Sequence, residues 1–391
     1  MTQTAFFGAD SPIPAGSLPS VSTGLSWHNV QRQRLRKFAA QFQAVAAIPV
    51  VTLRSQGEPD VNDPAVVATR EGFTQLRRDL PVIDQDFEYS GDAAALAKVK
   101  EVCLAWVRTN VPDGKPINET NLEWLLRVLA RRYDDFSSAE QADIDAWAQA
   151  LRTAKESAAA GNFSRQMAEG EGGTEHGNWW THHYKVLLLV YHLQGDSAAF
   201  DALLAEIDGF AVRNFPYGNA AITYPGTGEP FDPALHDMPR AAVHAGESID
   251  YIRRDALHYQ VYTLLPWVEI ALLVWDRKGE NRYGGLVDAG WTFFWEKLLS
   301  PSKHYEFAAT SDPFDALRWE ASHPEYLAPA AMFKPQRAAG LILTWMHWRR
   351  AIDEEHVEDS KPVAMACRAV PEIASVLAQY FRWALGYGAN A

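Results

Sequence analysis

The chain has 391 residues, 47% of them hydrophobic and 22% charged. That length supplies a large core, in one big domain or two ordinary ones. The net charge of −13 sets the surface as a whole against nucleic acid and anionic membranes, so an anionic ligand needs a local cluster of Arg, Lys, His or Asn. Fourteen Trp, fourteen Tyr and eighteen Phe suit sugar binding and plain packing alike. The two cysteines, Cys103 and Cys367, make no disulfide framework, although one bridge is open to them. No run of about eighteen apolar residues occurs, so no membrane span is expected. The opening MTQTAFFGADSPIPAG lacks the basic and apolar regions of an export signal. The expectation is a periplasmic or secreted protein whose signal is not part of this chain, or a cytoplasmic one.

Residues 1–24, rich in Pro, Ser, Gly and Thr, read as an extended arm, and 25–391 as a single domain. Ser26 is placed to cap a helix to about residue 47. Residues 48–90 carry Pro49, Pro59, Pro64 and Pro81 and read as irregular, with a helical piece over 67–78. Asp92 opens a helix to about 109, and Asn118 or Thr120 another ending near 133. Ser138 and Gln141 have the S-x-x-Q spacing of a capping box, for a helix to about 157. A glycine-rich stretch over 161–177 precedes helices over 178–194 and 197–214. The proline-rich stretch 215–245 is a long loop, and such loops are usually functional or mobile. Helices follow over 251–277, 284–299, 336–355 and 362–385, with a broken stretch over 301–335. Almost nothing alternates with period two, so the expected class is all-α. About a dozen helices joined by uneven loops suggest antiparallel hairpins, which can close into an α/α toroid with a central groove. No exact repeat is visible, which argues against a strict solenoid.

Three segments hold residues with chemistry. In 251–277, Arg254, His258 and Tyr262 fall at i, i+4 and i+8, on one face of a continuous helix. Pro266, four residues past Tyr262, removes the hydrogen bond to the Tyr262 carbonyl, so a kink there would aim the phenol into a cavity. The plain alternative is a core helix with locally satisfied polar groups. The second segment is GNWWTHHY, where Asn178 and His182 share a face. Asn178 also suits a helix cap. Trp179 and Trp180 suit a sugar-stacking platform or core packing. Glu175, His176, His182 and His183 match no metal-ligand spacing, so neither a metal nor another cofactor is expected. Nucleophile-elbow, Walker and dinucleotide motifs are absent from the sequence. The third segment, KHYEF, offers Lys303, His304 and Tyr305 either to a groove or to ordinary surface ion pairs.

Together these segments resemble the alginate lyase group of polysaccharide lyases and related uronate lyases built on α/α toroids. In that group a motif R-x-L-x-Y-x-x-Y-x-L-x-P lies on a helix and carries the catalytic tyrosine. LHYQVYTLLP keeps Leu257, Tyr259, Tyr262, Leu264 and Pro266, with Tyr262 in the catalytic place. The arginine position holds Asp255, with Arg254 and Arg253 just before it. GNWWTHHY is similar to the group's Asn-His region, with Asn178 as the asparagine and His182 and His183 as candidate histidines. Its NWW triplet resembles an aromatic patch in lyases of acidic glycosaminoglycans, and KHYEFAATSDPFD is similar to an H-x-E-F segment of alginate-lyase-like proteins.

The resemblance implies β-elimination on a β-1,4-linked polyuronate, glucuronan first and polymannuronate second, leaving an unsaturated uronate. Its implied catalytic residues are Tyr262, His182, His183, Asn178 and Arg254. Its implied binding residues are Trp179, Trp180, His258, Tyr259, Arg253, Lys303 and His304. The expected partner is an acidic polysaccharide bound by a monomer. Such an elimination needs donors to quench the uronate carboxylate and a base and an acid at C5 and O4. Arg254 and His258 are expected to lower the pKa of Tyr262 from about 10 for this work. The rivals are an α/α-barrel glycoside hydrolase drawing two carboxylates from Glu247, Asp250, Asp255 and Glu320, a non-catalytic polyuronate-binding protein, and a helical structural protein.

Overall fold

Runs of apolar residues at helical spacing, closed by short capping signals, account for the regular elements of this chain. The computed structural model describes residues 27–55, 62–169, 177–217, 242, 244–299, 306–310 and 338–352. Among them no strand occurs, and the class is all-α as the periodicity predicts. The helices are α1 (Trp27–Gln43), α2 (Pro64–Thr74), α3 (Leu80–Ser90), α4 (Ala93–Thr109), α5 (Pro116–Glu119), α6 (Glu123–Arg132) and α7 (Ser138–Glu169). They continue with α8 (Asn178–Leu193), α9 (Ser197–Asn214), α10 (Ile249–Arg254), α11 (Leu257–Lys278), α12 (Gly284–Leu299) and α13 (Ala339–Ile352). The arm over 1–24, Ser26, Lys303, His304, Glu320, Cys367 and the helix expected over 362–385 lie outside the described residues.

Several boundaries differ from expectation for local reasons. Pro81 lies in the first turn of α3, where its missing N–H has no helical partner to lose, so 80–90 is helical. A π-helical turn, Gln75–Asp79, carries α2 directly into α3. The capping box before α7 is one residue earlier than read. Ser137 and Glu140 form it, the Glu140 carboxylate accepting the Ser137 N–H at 2.7 Å and Ser137 Oγ accepting the Glu140 N–H at 3.4 Å. Lys115, followed by Pro116, opens α5, in place of Asn118 or Thr120. Asp92 caps α4 as expected, accepting the Ala94 N–H at 2.9 Å.

The chain folds as two compact units. The first holds the described residues up to Ala160 and Lys185–Phe200; the second holds those of Gly161–Tyr184 and Asp201–Leu377. In the first, α3 and α4 are joined through Gly91, whose φ of 65° closes α3 in the left-handed region. Its interior buries Trp106, Leu76, Leu80, Leu125 and Leu126, each worth about 1.5–3 kcal/mol for a large side chain. It also buries charge: Lys155 pairs with Glu119 at 2.7 Å, and Asp84 takes Arg131 at 3.0 Å and Arg132 at 2.6 Å.

In the second unit α11 packs against α12 and α13. Trp291 of α12 stacks on Trp345 of α13 with ring centres 4.0 Å apart. By length and hydropathy α11 would suit a bilayer, yet 78% of its apolar window is buried inside the protein. It is the core helix of this unit.

Candidate functional site

The site is set by a break in the backbone. Ser248 caps α10, its Oγ accepting the Tyr251 N–H at 3.2 Å. Asp255 then ends α10 in the left-handed region, with φ 47° and ψ 48°. That conformation strains a residue bearing a Cβ and persists where surrounding structure over-determines it. Here the turn 306–310 does so. The Phe307 N–H donates to the Asp255 carbonyl at 2.8 Å, the Ala309 N–H to its carboxylate at 2.7 Å, and the Thr310 hydroxyl to the Arg253 carbonyl at 3.2 Å.

The break corrects the expected stripe. Arg254 ends one helix while His258 and Tyr262 lie on the next, so the three do not share one continuous face. The Arg254 guanidinium instead lies over the Tyr259 ring, 4.3 Å from its centre. Pro266 is accommodated within α11, and the chain turns at Asp255–Ala256. Ala256 offers α11 no side-chain cap. Glu306 supplies one from a distance, accepting the His258 N–H at 3.3 Å and meeting His258 Nδ1 as well. His258 is thereby committed to a carboxylate.

A second borrowed cap starts α8. Gly177 precedes Asn178 and has no side chain to offer. Asp250 serves in its place. Its carboxylate accepts the Asn178 Nδ2–H at 2.9 Å, the Asn178 backbone N–H, and the Thr263 hydroxyl at 2.9 Å. A Cβ on residue 177 would stand 3.0 Å from that carboxylate, so glycine makes room for it. Asn178 is therefore capped by another residue and does not itself cap the helix. Arg254 Nε stands 4.0 Å from Asp250. Burial lifts the Asp250 pKa above the ordinary carboxylate value, against the opposing pull of Arg254, Thr263, Asn178 and Arg253. Asn178 Oδ1 is buried and has no hydrogen-bond partner.

The two candidate histidines separate. The His182 ring lies 4.3 Å from that of Tyr262, centre to centre. The His183 ring packs instead on Trp180 at 5.0 Å and Tyr184 at 5.8 Å. Trp180 is 8% exposed and closes this small aromatic core, which corrects the platform reading for that residue. Trp179 stays half-buried. Tyr262 keeps part of its surface accessible, although protein surrounds most of the ring. Burial, with a smaller contribution from Tyr259, pushes its pKa up. This overturns the expected depression by Arg254 and His258: one guanidinium stacks on Tyr259 and the imidazole faces Glu306.

The sequence thus brings Asn178, His182, Arg253, Arg254, His258, Tyr259 and Tyr262 into one neighbourhood of the second unit, and places His183 and Trp180 in its packing. Asp250 enters the reading only as a hydrolase carboxylate, and Thr263 and Gln260 not at all. Gln260 ties the turn before α10 to α11, donating to the Gly246 carbonyl at 2.8 Å and accepting the Ser248 N–H at 3.0 Å. Gln260 and Thr263 interrupt the apolar run of α11, and polar residues buried in such a helix are the available signal.

No family model matches the chain, and no curated protein does. Among solved structures it is similar to a variant of alginate lyase A1-III complexed with a tetrasaccharide. That likeness has 16% identity and a TM-score of 0.43, over 70% of this chain and 76% of that one. It is also similar to an unsaturated glucuronyl hydrolase specific for heparin, with 10% identity and a TM-score of 0.44, over 92% and 84%. Likeness at this level leaves the chemistry to be argued from the residues.

Proposed function

We propose that the protein is a polysaccharide lyase that cleaves a β-1,4-linked polyuronate by β-elimination, glucuronan first and polymannuronate second. The observation that carries this reading is the Tyr262 phenol set beside the His182 imidazole, 4.3 Å between ring centres. Asn178 and Arg254 join the same neighbourhood through Asp250.

In these polymers the C5 hydrogen and the C4 oxygen lie on one side of the sugar, so groups on one side of the substrate suffice. Burial keeps Tyr262 protonated before substrate arrives. To act as base it first passes its proton to the neighbouring imidazole of His182. The phenolate then takes the C5 proton, the C4–O4 bond breaks, the phenol returns that proton to the departing oxygen, and the His182 imidazolium gives its proton back to the phenolate. The negative charge that grows on the uronate during proton removal falls to the Arg254 guanidinium.

Incubation with glucuronan, polymannuronate, polyguluronate and glycosaminoglycans, followed in the near ultraviolet, tests the reading. A conjugated product from glucuronan or polymannuronate that is lost in Tyr262→Phe supports it. The same chromophore at a comparable rate from the folded variant sinks the assignment of Tyr262. One observation favours a second reading, a glycoside hydrolase. A buried carboxyl with a raised pKa, as in Asp250, is the form a general acid takes. A saturated reducing end as product decides for it.

A further inference from the structure

The Asn178 amide is held by one end. Its Nδ2 donates to Asp250 at 2.9 Å, and its Oδ1 is buried without a hydrogen-bond partner. Three donors converge on the Asp250 carboxylate, namely Asn178 Nδ2, the Asn178 backbone N–H and the Thr263 hydroxyl. A group so surrounded is an acceptor, and it fixes which way the amide turns. The bare oxygen stands at the start of α8, one turn before His182. A buried carbonyl oxygen left unpaired is costly, and a ligand that donates to it removes that cost.

We propose that Asp250 is a positioning residue that turns the oxygen of Asn178 toward the substrate, where it accepts a hydrogen bond from a sugar hydroxyl. The donor to the uronate carboxylate is then Arg254 and not Asn178. This rests on the polyuronate reading of the same site, and it changes what Asn178 contributes: recognition of a neutral donor in place of charge quenching.

The test uses the full chain carrying Tyr262→Phe, so that a β-1,4-glucuronate tetrasaccharide is bound and not consumed, with affinity measured by calorimetry. Asn178→Asp sets two carboxylates against each other and weakens binding at least ~10-fold. Adding Asp250→Asn reverses donor and acceptor within the pair while keeping an acceptor facing the sugar. Affinity then returns to within about threefold of the parent. Were Asn178 the donor to the carboxylate, this exchange would put charge against like charge, and the affinity would stay lost. Melting and helix content confirm that each variant is folded.

A second measurement needs no variant. In the wild type the Asn178 side-chain amide protons, observed by nitrogen-15 correlation, exchange slowly because one is held by Asp250. Exchange of both at the rate of an exposed amide overturns the orientation. If the wild type neither binds nor cleaves glucuronan while these protons stay protected, the polyuronate reading and the hydroxyl contact fall, and the orientation stands.

Discussion

Two regions of this molecule bury polar groups in opposite ways. In the first unit three buried charge clusters are consumed by partners, although the buried Gln85 amide there has none among the described residues. Lys155 and Glu119 are buried to within 1% and meet at 2.7 Å, Asp84 lies against Arg131 and Arg132, and Lys185 meets Glu123 and donates to Thr120 at 3.0 Å. Beside Tyr262 the arrangement is open. Asp250 takes neutral donors and keeps Arg254 at 4.0 Å, while Asn178 Oδ1 has no partner at all. Closed networks hold a fold in register, whereas an unspent acceptor such as Asn178 Oδ1, set in the neighbourhood of a phenol, an imidazole and a guanidinium, is one that a ligand can satisfy.

The largest expected difference between the regions lies in activity. Tyr262→Phe removes the proton carrier and leaves the ring, so glucuronan turnover falls ~10²–10⁴-fold or more, with the melting temperature unchanged. Lys155→Met does the reverse. It strands Glu119 as a buried, unpaired charge and costs about 3–5 kcal/mol of stability, read by denaturant unfolding. Turnover per folded molecule stays at the wild-type value.

A pair of glycines sharpens the contrast at smaller scale. Gly114 in the first unit has φ +78°, and a Cβ there would stand 2.4 Å from the Ala154 carbonyl oxygen. Gly114→Ala therefore meets fixed backbone as well as the left-handed penalty, and loses several kcal/mol, about 2–4. Gly177→Ala meets a side chain that can give by a few tenths of an ångström, since its Cβ would stand 3.0 Å from Asp250. Its stability cost is about 1 kcal/mol, the value of a disturbed helix cap. Its effect on glucuronan binding is the larger one, because the displaced carboxylate no longer sets Asn178.

The sequence reveals these two regions unequally. Helical spacing marks α9 and α12 at their observed bounds, 197–214 and 284–299, because local periodicity and capping decide them. The sequence offers Tyr262 from its place before Pro266, and both His182 and His183 as candidates; that the His182 ring is the one beside Tyr262 is seen only in the structure. The break at Asp255 is not. It depends on bonds from Phe307 and Ala309, more than fifty residues away in the chain. The caps on α8 and α11 are hidden for the same reason, since Asp250 and Glu306 reach them across 72 and 48 residues. Cap signals in a sequence are read from adjacent residues, and a cap lent by a distant carboxylate leaves no local pattern. The expected lowering of the Tyr262 pKa failed on this point. It assumed one continuous helix, and the break at Asp255 separates Arg254, whose guanidinium lies over Tyr259, from the helix of Tyr262.

The smallest effect distinguishes the regions by sign. Glu140, capping α7 in the first unit, has its pKa lowered from 4.5 to about 2, first by the hydrogen bond from Lys100 and then by the Ser137 N–H. A folded-state value below the unfolded one contributes stability that is present above pH 4.5 and lost as the pH falls toward about 2. Asp250 is shifted the other way, raised from 3.8 by burial. Its neutral form is the one the fold prefers, so its contribution is complete below pH 3.8 and is lost as the pH rises through the higher folded value. Unfolding free energies of the wild type, Glu140→Gln and Asp250→Asn measured across acid pH separate the two. Relative to Glu140→Gln the wild type gains stability as the pH rises, by a small amount because Glu140 is solvent-screened. Relative to Asp250→Asn it loses stability over its window, and the pH-independent cost of altered hydrogen bonds cancels from that slope. A difference from Asp250→Asn that rises with pH would mean the three donors and Arg254 outweigh burial, and Asp250 would then belong with the closed charges of the first unit.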